Sequence, residues 1–187
     1  MAVIYPYLPP GRTILYVPLS DPAMTAAMTA ARDHSTETNH PTGAVVMRQN
    51  KILGWGANQA AINNRWLAGL HKNYFCVRRF LHIPSGQKYW LCPGCAQYRH
   101  HAEQRAVRDA LAKHPHEVAG ADLYLWGHWW CCQPCWEVMI AAGIKDVYLL
   151  TPRHLTSRFG GFWATIFLLN VIFFLAGIPL PGVDKMA

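Results

Sequence analysis

Acidic side chains are scarce: ten Asp and Glu stand against seventeen Lys and Arg, and charged residues make up only 14% of the 187-residue chain. The formal charge of +7 favours anionic ligands, from a nucleotide phosphate to a nucleic acid, without choosing between them. Dense Lys/Arg tracts are lacking, and basic residues scattered in this way count against a nucleic-acid-binding tail. A secretory leader is not expected, because Pro6, Pro9, Pro10 and Pro18 break up residues 1–19. Apolar residues are not scarce: they make up 52% of the chain, with eight Trp, which argues against disorder. This length suits one domain with a buried core. Four of the six cysteines lie in Cys-x-x-Cys pairs, a spacing more typical of zinc than of a disulfide framework. A reduced, cytoplasmic protein is the expectation.

Along the chain, residues 1–19 read as an extended or irregular arm and residues 20–187 as the domain. Ser20-Asp21-Pro22 is a helix start, with a capping side chain before a proline in the first turn, and a small-residue helix should run from Ala23 to about Asp33. Gly43–Met47 and Lys51–Trp55, separated by Arg48-Gln49-Asn50, form a hairpin pattern. Asn58, a polar residue at the end of a core strand, is a candidate substrate contact or a plain turn residue. Residues 59–99 form a connection too long for a compact domain unless something orders it. Within it, Cys92-Pro93-Gly94-Cys95 has the form of a zinc knuckle, in which Pro and Gly turn both thiolates toward one ion. Cys76 lies nearby, and His71 or His100 could complete the set; spacing does not decide.

A helix is expected from about His101 to Lys113, a strand over Ala121–Trp126, a helix over Pro134–Ala142 and a strand over Asp146–Leu150. Strand, helix, strand in this order implies parallel neighbours and a three-layer α/β domain. Phe162 to Ile178 is nearly unbroken apolar sequence. At the lower length limit for a membrane span, it reads as a buried helix against the sheet or a neighbouring subunit, with a membrane anchor as the alternative.

The chemistry lies in two stretches: His101-Ala102-Glu103 and, about thirty residues later, Cys132-Gln133-Pro134-Cys135. Their combination is the signature of zinc-dependent nucleobase deaminases. One imidazole and two thiolates would hold zinc with a fourth position open. Cys132 and Cys135, three apart at a helix start, project to one side, where the helix dipole favours thiolates. Zinc would lower the pKa of a water from about 15.7 toward about 7, and Glu103 would carry protons to the ring nitrogen and the leaving ammonia. Cys131 is the nearest rival ligand, but its spacing of four to Cys135 makes Cys132 the better choice.

These residues resemble the cytidine and deoxycytidylate deaminase superfamily and, within it, the dCMP deaminases. Cys76-Val77-Arg78-Arg79, Ile83-Pro84-Ser85-Gly86, Cys92, His101-Ala102-Glu103-Gln104 and Ala106 follow the family's order, as do Gly43–Val46, Gly56–Asn58, Ala142-Gly143-Ile144 and Ala176-Gly177-Ile178. The resemblance implies a three-layer α/β/α domain around a mixed five-stranded sheet, with the apolar tail as its last helix and strand and no membrane anchor. It implies catalytic zinc on His101, Cys132 and Cys135, with Glu103 as proton shuttle, and substrate contacts from Asn58 and Ala102. A structural zinc is implied on Cys76 and Cys92 with His71 and Cys95. A homo-oligomer, often a hexamer, and control by a nucleotide with Mg2+ are implied as well. The chain departs from the pattern at Cys131, where the family has Pro, at Arg105 in place of Asn, at Ala57 in the Gly-Tyr-Asn-Gly turn, and in the inserted Pro93-Gly94-Cys95.

Hydrolysis of dCMP to dUMP is therefore the leading expectation, with a phosphate pocket drawn from Arg65, Arg78, Arg79 or Arg105. A deaminase acting on a base within single-stranded RNA or DNA is the runner-up. A zinc-stapled binding module without activity is the third reading.

Overall fold

The computed structural model describes residue 4 and residues 6–37, 40–61, 64–83, 88–95 and 97–151. The regular elements are β1 (Ile14–Val17), α1 (Pro22–His34), β2 (Gly43–Arg48), β3 (Lys51–Ala57), α2 (Arg65–Asn73), α3 (Val77–Phe80), α4 (Ala102–Lys113), β4 (Asp122–Trp126), α5 (Gln133–Ala141) and β5 (Val147–Leu150). Short 3-10 turns occupy Tyr89–Leu91 and Tyr98–His100. The apolar stretch Phe162–Ile178 lies outside the described residues. Among those that are described, no helix is long and apolar enough to cross a membrane.

The helix start at Asp21 forms as its chemistry dictates. Its Oδ1 accepts from the backbone N–H groups of Ala23 and Met24 at 2.9 and 3.0 Å, with Pro22 in the first turn where its missing N–H costs nothing. The hairpin forms as well, β2 and β3 pairing antiparallel with an irregularity between Val46 and Met47.

The five strands make one mixed sheet in the order β1-β5-β4-β2-β3. The three adjacent strands β1, β5 and β4 are parallel, whereas β2 runs antiparallel to both β4 and β3. Alternation along the strands assigns the two faces. Val45 packs with Ala23 and Ala27 of α1 on one side. Ala44, Val46, Leu123, Leu125, Val147 and Leu149 pack on the other side with Ala106 and Ala110 of α4 and Trp136 and Met139 of α5. The result is three layers, α/β/α.

The helices approach this sheet closely because small residues meet at the seams. A Cβ on Gly56 would lie 2.4 Å from the backbone nitrogen of Ala106, and one on Gly54 2.3 Å from that of Ala110. Only glycine lets α4 sit this low on β3.

The residues read as a separate arm contain part of the sheet. Ile14–Val17 run parallel along Val147–Leu150, and Arg12 donates from Nη1 to the carbonyls of Ile144 and Lys145 at 3.1 and 2.7 Å. Four residues between prolines give little local signal; the strand exists because its partner does.

Candidate active site

Register places the working edge of the sheet. Gly43 at the start of β2 pairs with Trp126 at the end of β4 and with Ala57 at the end of β3. Asn58 and the segment carrying the paired cysteines therefore leave the sheet at the same edge. The first turns of α4 and α5 meet there. His101 caps α4 and Cys132 caps α5, both with extended backbone, while Glu103 and Cys135 lie in the following turns.

His101 Nδ1 lies 3.6 Å from Cys132 Sγ and 3.5 Å from Cys135 Sγ, and the two sulfurs are 3.4 Å apart. A tetrahedral zinc ion with bonds of about 2.3 Å to sulfur and about 2.0–2.1 Å to nitrogen separates its ligands by about 3.6–3.8 Å. The three donors therefore have the size and the softness for zinc, with one corner not supplied by this group. Donation from the Cys135 thiol, with help from His101, brings Cys132 down to about 5 although burial opposes it. A thiolate is thus favoured where a metal ligand is needed.

Glu103 is 5% exposed, and burial pushes its carboxyl above the ordinary carboxylate range, with His101 opposing. A carboxyl raised in this way holds its proton more readily than a free one, which suits a group that must take a proton and return it. Gln104, absent from the candidates drawn from sequence, joins the two helix starts by donating from Nε2 to the carbonyl of Pro134 at 3.1 Å. Its only signal was its place in the His-Ala-Glu-Gln run. Cys131 is fully buried and lies outside the His101, Cys132 and Cys135 group. The arm also reaches this loop: Gln133 N–H donates to the Ile4 carbonyl at 3.0 Å, and Trp130 Nε1 donates to the Tyr7 carbonyl at 2.8 Å.

Asn58 is buried, and its side chain holds the loop after α1. Its Oδ1 accepts from Thr42 N–H at 2.9 Å and from the Ser35 hydroxyl at 2.6 Å, and Nδ2 donates to the His40 carbonyl at 2.9 Å. These bonds use one of its two amide hydrogens. Ala102 is fully buried in the first turn of α4, between His101 and Glu103.

The connection 59–99 carries the second cluster. His71 in the last turn of α2, Cys76 at the start of α3, and the knuckle cysteines Cys92 and Cys95 converge. Cys76 Sγ lies 3.9 Å from Cys92 Sγ and 3.8 Å from Cys95 Sγ, and His71 Nδ1 is 3.2 Å from Cys92 Sγ. Of the two histidines left open by spacing, His71 joins the group and His100 does not. Burial lowers the His71 pKa and favours the neutral imidazole that a metal requires. Gly94 is obligatory in the knuckle, because a Cβ there would lie 2.3 Å from Cγ of the His71 ring. Both groups of potential ligands among the described residues are His and Cys, a set that suits zinc and not magnesium.

The second cluster is tied to the edge of the sheet that carries the first. Ala61 N–H donates to the Cys95 carbonyl at 3.2 Å and Gln59 N–H to the His100 carbonyl at 3.0 Å. The chain leaving β3 thus runs beside the chain leading into α4.

The sequence profile described as the cytidine and deoxycytidylate deaminase zinc-binding region matches residues 19–151. The chain belongs to this family. Solved structures similar to this deaminase-family chain include the dCMP deaminase of cyanophage S-TIM5 in apo form, at 20% identity and a TM-score of 0.41 over 69% of this chain and 81% of that one. The same enzyme in complex with dCMP and dUMP aligns at 22% identity and a TM-score of 0.40, over 68% and 77%. A diaminohydroxyphosphoribosylaminopyrimidine deaminase/5-amino-6-(5-phosphoribosylamino)uracil reductase of Thermotoga maritima aligns at 22% and 0.38, covering 70% of this chain and 29% of that one. No significant match was found among curated proteins.

Proposed function

We propose that the protein hydrolyses a cytosine nucleotide, converting dCMP and water to dUMP and ammonia. The observation that carries this reading is the convergence of His101, Cys132 and Cys135 beside the buried Glu103, at the starts of two helices. Zinc held by those three residues would supply the Lewis acidity that makes a water nucleophilic at neutral pH.

The chain's own groups do the rest. Glu103 accepts a proton from the attacking water and passes it to N3 of the pyrimidine. It then takes the proton of the new C4 hydroxyl and delivers it to the amine, so that the C4–N bond breaks as the C4 carbonyl forms and ammonia leaves. Burial keeps Glu103 out of bulk water, so those protons move between fixed partners. Gln104 fixes one helix start against the other. Asn58 offers its remaining amide hydrogen to the sugar, and Ala102 lines the base. Of the arginines named for a phosphate pocket, Arg78 is buried against Cys95, which leaves Arg79 and Arg105 as the better candidates among the described side chains. The second cluster acts as a structural zinc staple. A homo-oligomer in the cytoplasm fits the same reading, as does control by a nucleotide with Mg2+ bound outside both clusters.

One observation favours a second reading, action on a base in single-stranded nucleic acid. Trp66 and Tyr74 on the connection are 88% and 83% exposed, and Phe80 and Trp90 are exposed too, with Arg79 nearby. Exposed rings with a cation can stack successive bases. Ammonia release by zinc-loaded protein, measured in parallel on dCMP, dCTP, deoxycytidine, CMP and a short cytosine-containing oligonucleotide, separates the two. Preference for dCMP supports the nucleotide enzyme, and activity confined to the oligonucleotide replaces it with the second reading. Silence on all five with two zinc ions bound leaves a binding module.

A further inference from the structure

We infer that Arg78 is the charge-balancing and positioning residue of the His71, Cys76, Cys92 and Cys95 cluster, an inference that rests on that cluster holding zinc. Three thiolates and a neutral imidazole around a divalent cation leave one net negative charge. All three cysteines are buried, so water solvates that charge poorly. A buried charge of this kind is stable only with a partner.

Arg78 is placed to be the partner. It is 9% exposed, although Phe75 and Phe80, close to it in the chain, are exposed. Its Nη1 is 3.8 Å from Cys95 Sγ, and its guanidinium carbon lies 3.9 Å from the centre of the Tyr89 ring. Tyr89 itself packs against the three cysteines. The guanidinium thus sits over the ring while Nη1 faces a ligand sulfur.

Arginine suits this position better than lysine, because its planar, weakly hydrated fork can stack and donate at once. Hydrogen bonds to ligand atoms orient the ligand and tune the metal, and their loss commonly weakens metal binding by about 10–100-fold. The neighbouring arginine does something else: Arg79 is exposed and lines an open cavity of about 420 Å3 with Tyr74, Phe75 and Phe80. Of two adjacent arginines on α3, one is turned inward to sulfur and one outward to solvent.

The test is zinc transfer from the full-length protein to a chromophoric chelator. Wild-type protein should release two equivalents, and Cys95→Ser should identify the phase that belongs to the staple. Arg78→Met should speed that phase about tenfold or more and leave the other phase unchanged. Arg78→Lys, which restores the charge without the stack, should recover much of the difference. Release from folded Arg78→Met at the wild-type rate would overturn the role of Arg78 while leaving the staple intact, and so would Lys doing no better than Met. A single equivalent of zinc in the wild-type protein would overturn the staple and the role together. Should Arg78→Met not fold, cobalt-loaded wild-type and Arg78→Lys proteins decide: the sulfur-to-cobalt absorption should shift, and identical bands would count against the role.

Discussion

The two sulfur clusters use the same donor types on different supports. The catalytic group has three donors at the starts of α4 and α5, packed on the central sheet against residues such as Ala106 and Trp136. The staple has four donors on a connection whose surroundings include Trp66, Tyr74 and Trp90 in solvent. The first group is held by the fold; the second, with a metal bound, would hold a piece of the fold. Their charges differ as well. With a divalent ion bound, two thiolates would balance its charge in the first group, whereas three would overshoot it by one in the second. A buried arginine stands beside the second group. Ligand count thus sets the surroundings each cluster requires.

The largest effect should come from Glu103→Ala. Turnover should fall by about 10²–10⁴-fold while both zinc ions remain, measured by ammonia release together with metal content. Loss of the metal in that variant would mean that the carboxyl helps to build the catalytic group rather than acting within it. Cys92→Ser should separate the supports. It should release the staple zinc alone and make residues 59–99 the first site of protease cleavage, with activity reduced through the lead-in to α4. An unchanged digestion pattern would contradict the view that the staple orders this connection.

Gly56→Ala perturbs the opposite side. A Cβ there would lie 2.4 Å from Ala106 N and 2.6 Å from the Ala102 carbonyl, so the first turn of α4 must shift. A loss of about 1–3 kcal/mol is expected in denaturant unfolding, with weaker catalytic zinc and an unaltered staple. Asp21→Ala is the distant control. It removes the cap of α1 at a cost of about 1 kcal/mol and should leave both metals and the substrate preference alone. A change in either zinc ion there would show that the clusters are less local than their contacts indicate.

Much of this was legible in the sequence because the signals were local. The cap at Asp21, the hairpin around Asn50 and the His-x-Glu and Cys-x-x-Cys pairs each depend on residues a few positions apart. What escaped depends on partners distant in the chain. Spacing left His71 and His100 level, and only the placement of α2 over Gly94 separates them. Asn58 stood at even odds between substrate and turn. Its bonds to Ser35, His40 and Thr42 show it engaged with the loop after α1, a demand that no local pattern reports. Gln104 and Trp136 were hidden in the same way. The first earns its place through a carbonyl thirty residues away, and the second is a core residue in a helix known mainly for its cysteines.

The pairing of β1 with β5 has a consequence for how the chain acquires its structure. Arg12 reaches the Lys145 carbonyl across 133 residues, and Ile14 pairs with Val147 just beyond it. Such a contact closes a very long loop, so it is expected to form late, once the hairpin and the packing of α4 have brought the ends near. During synthesis the first strand leaves the ribosome well before its partner exists. It must wait, unpaired and with apolar side chains on show, until β5 has been made. Closing the sheet at β1 is thus expected among the later steps of folding, and the early-made strand should need protection until then.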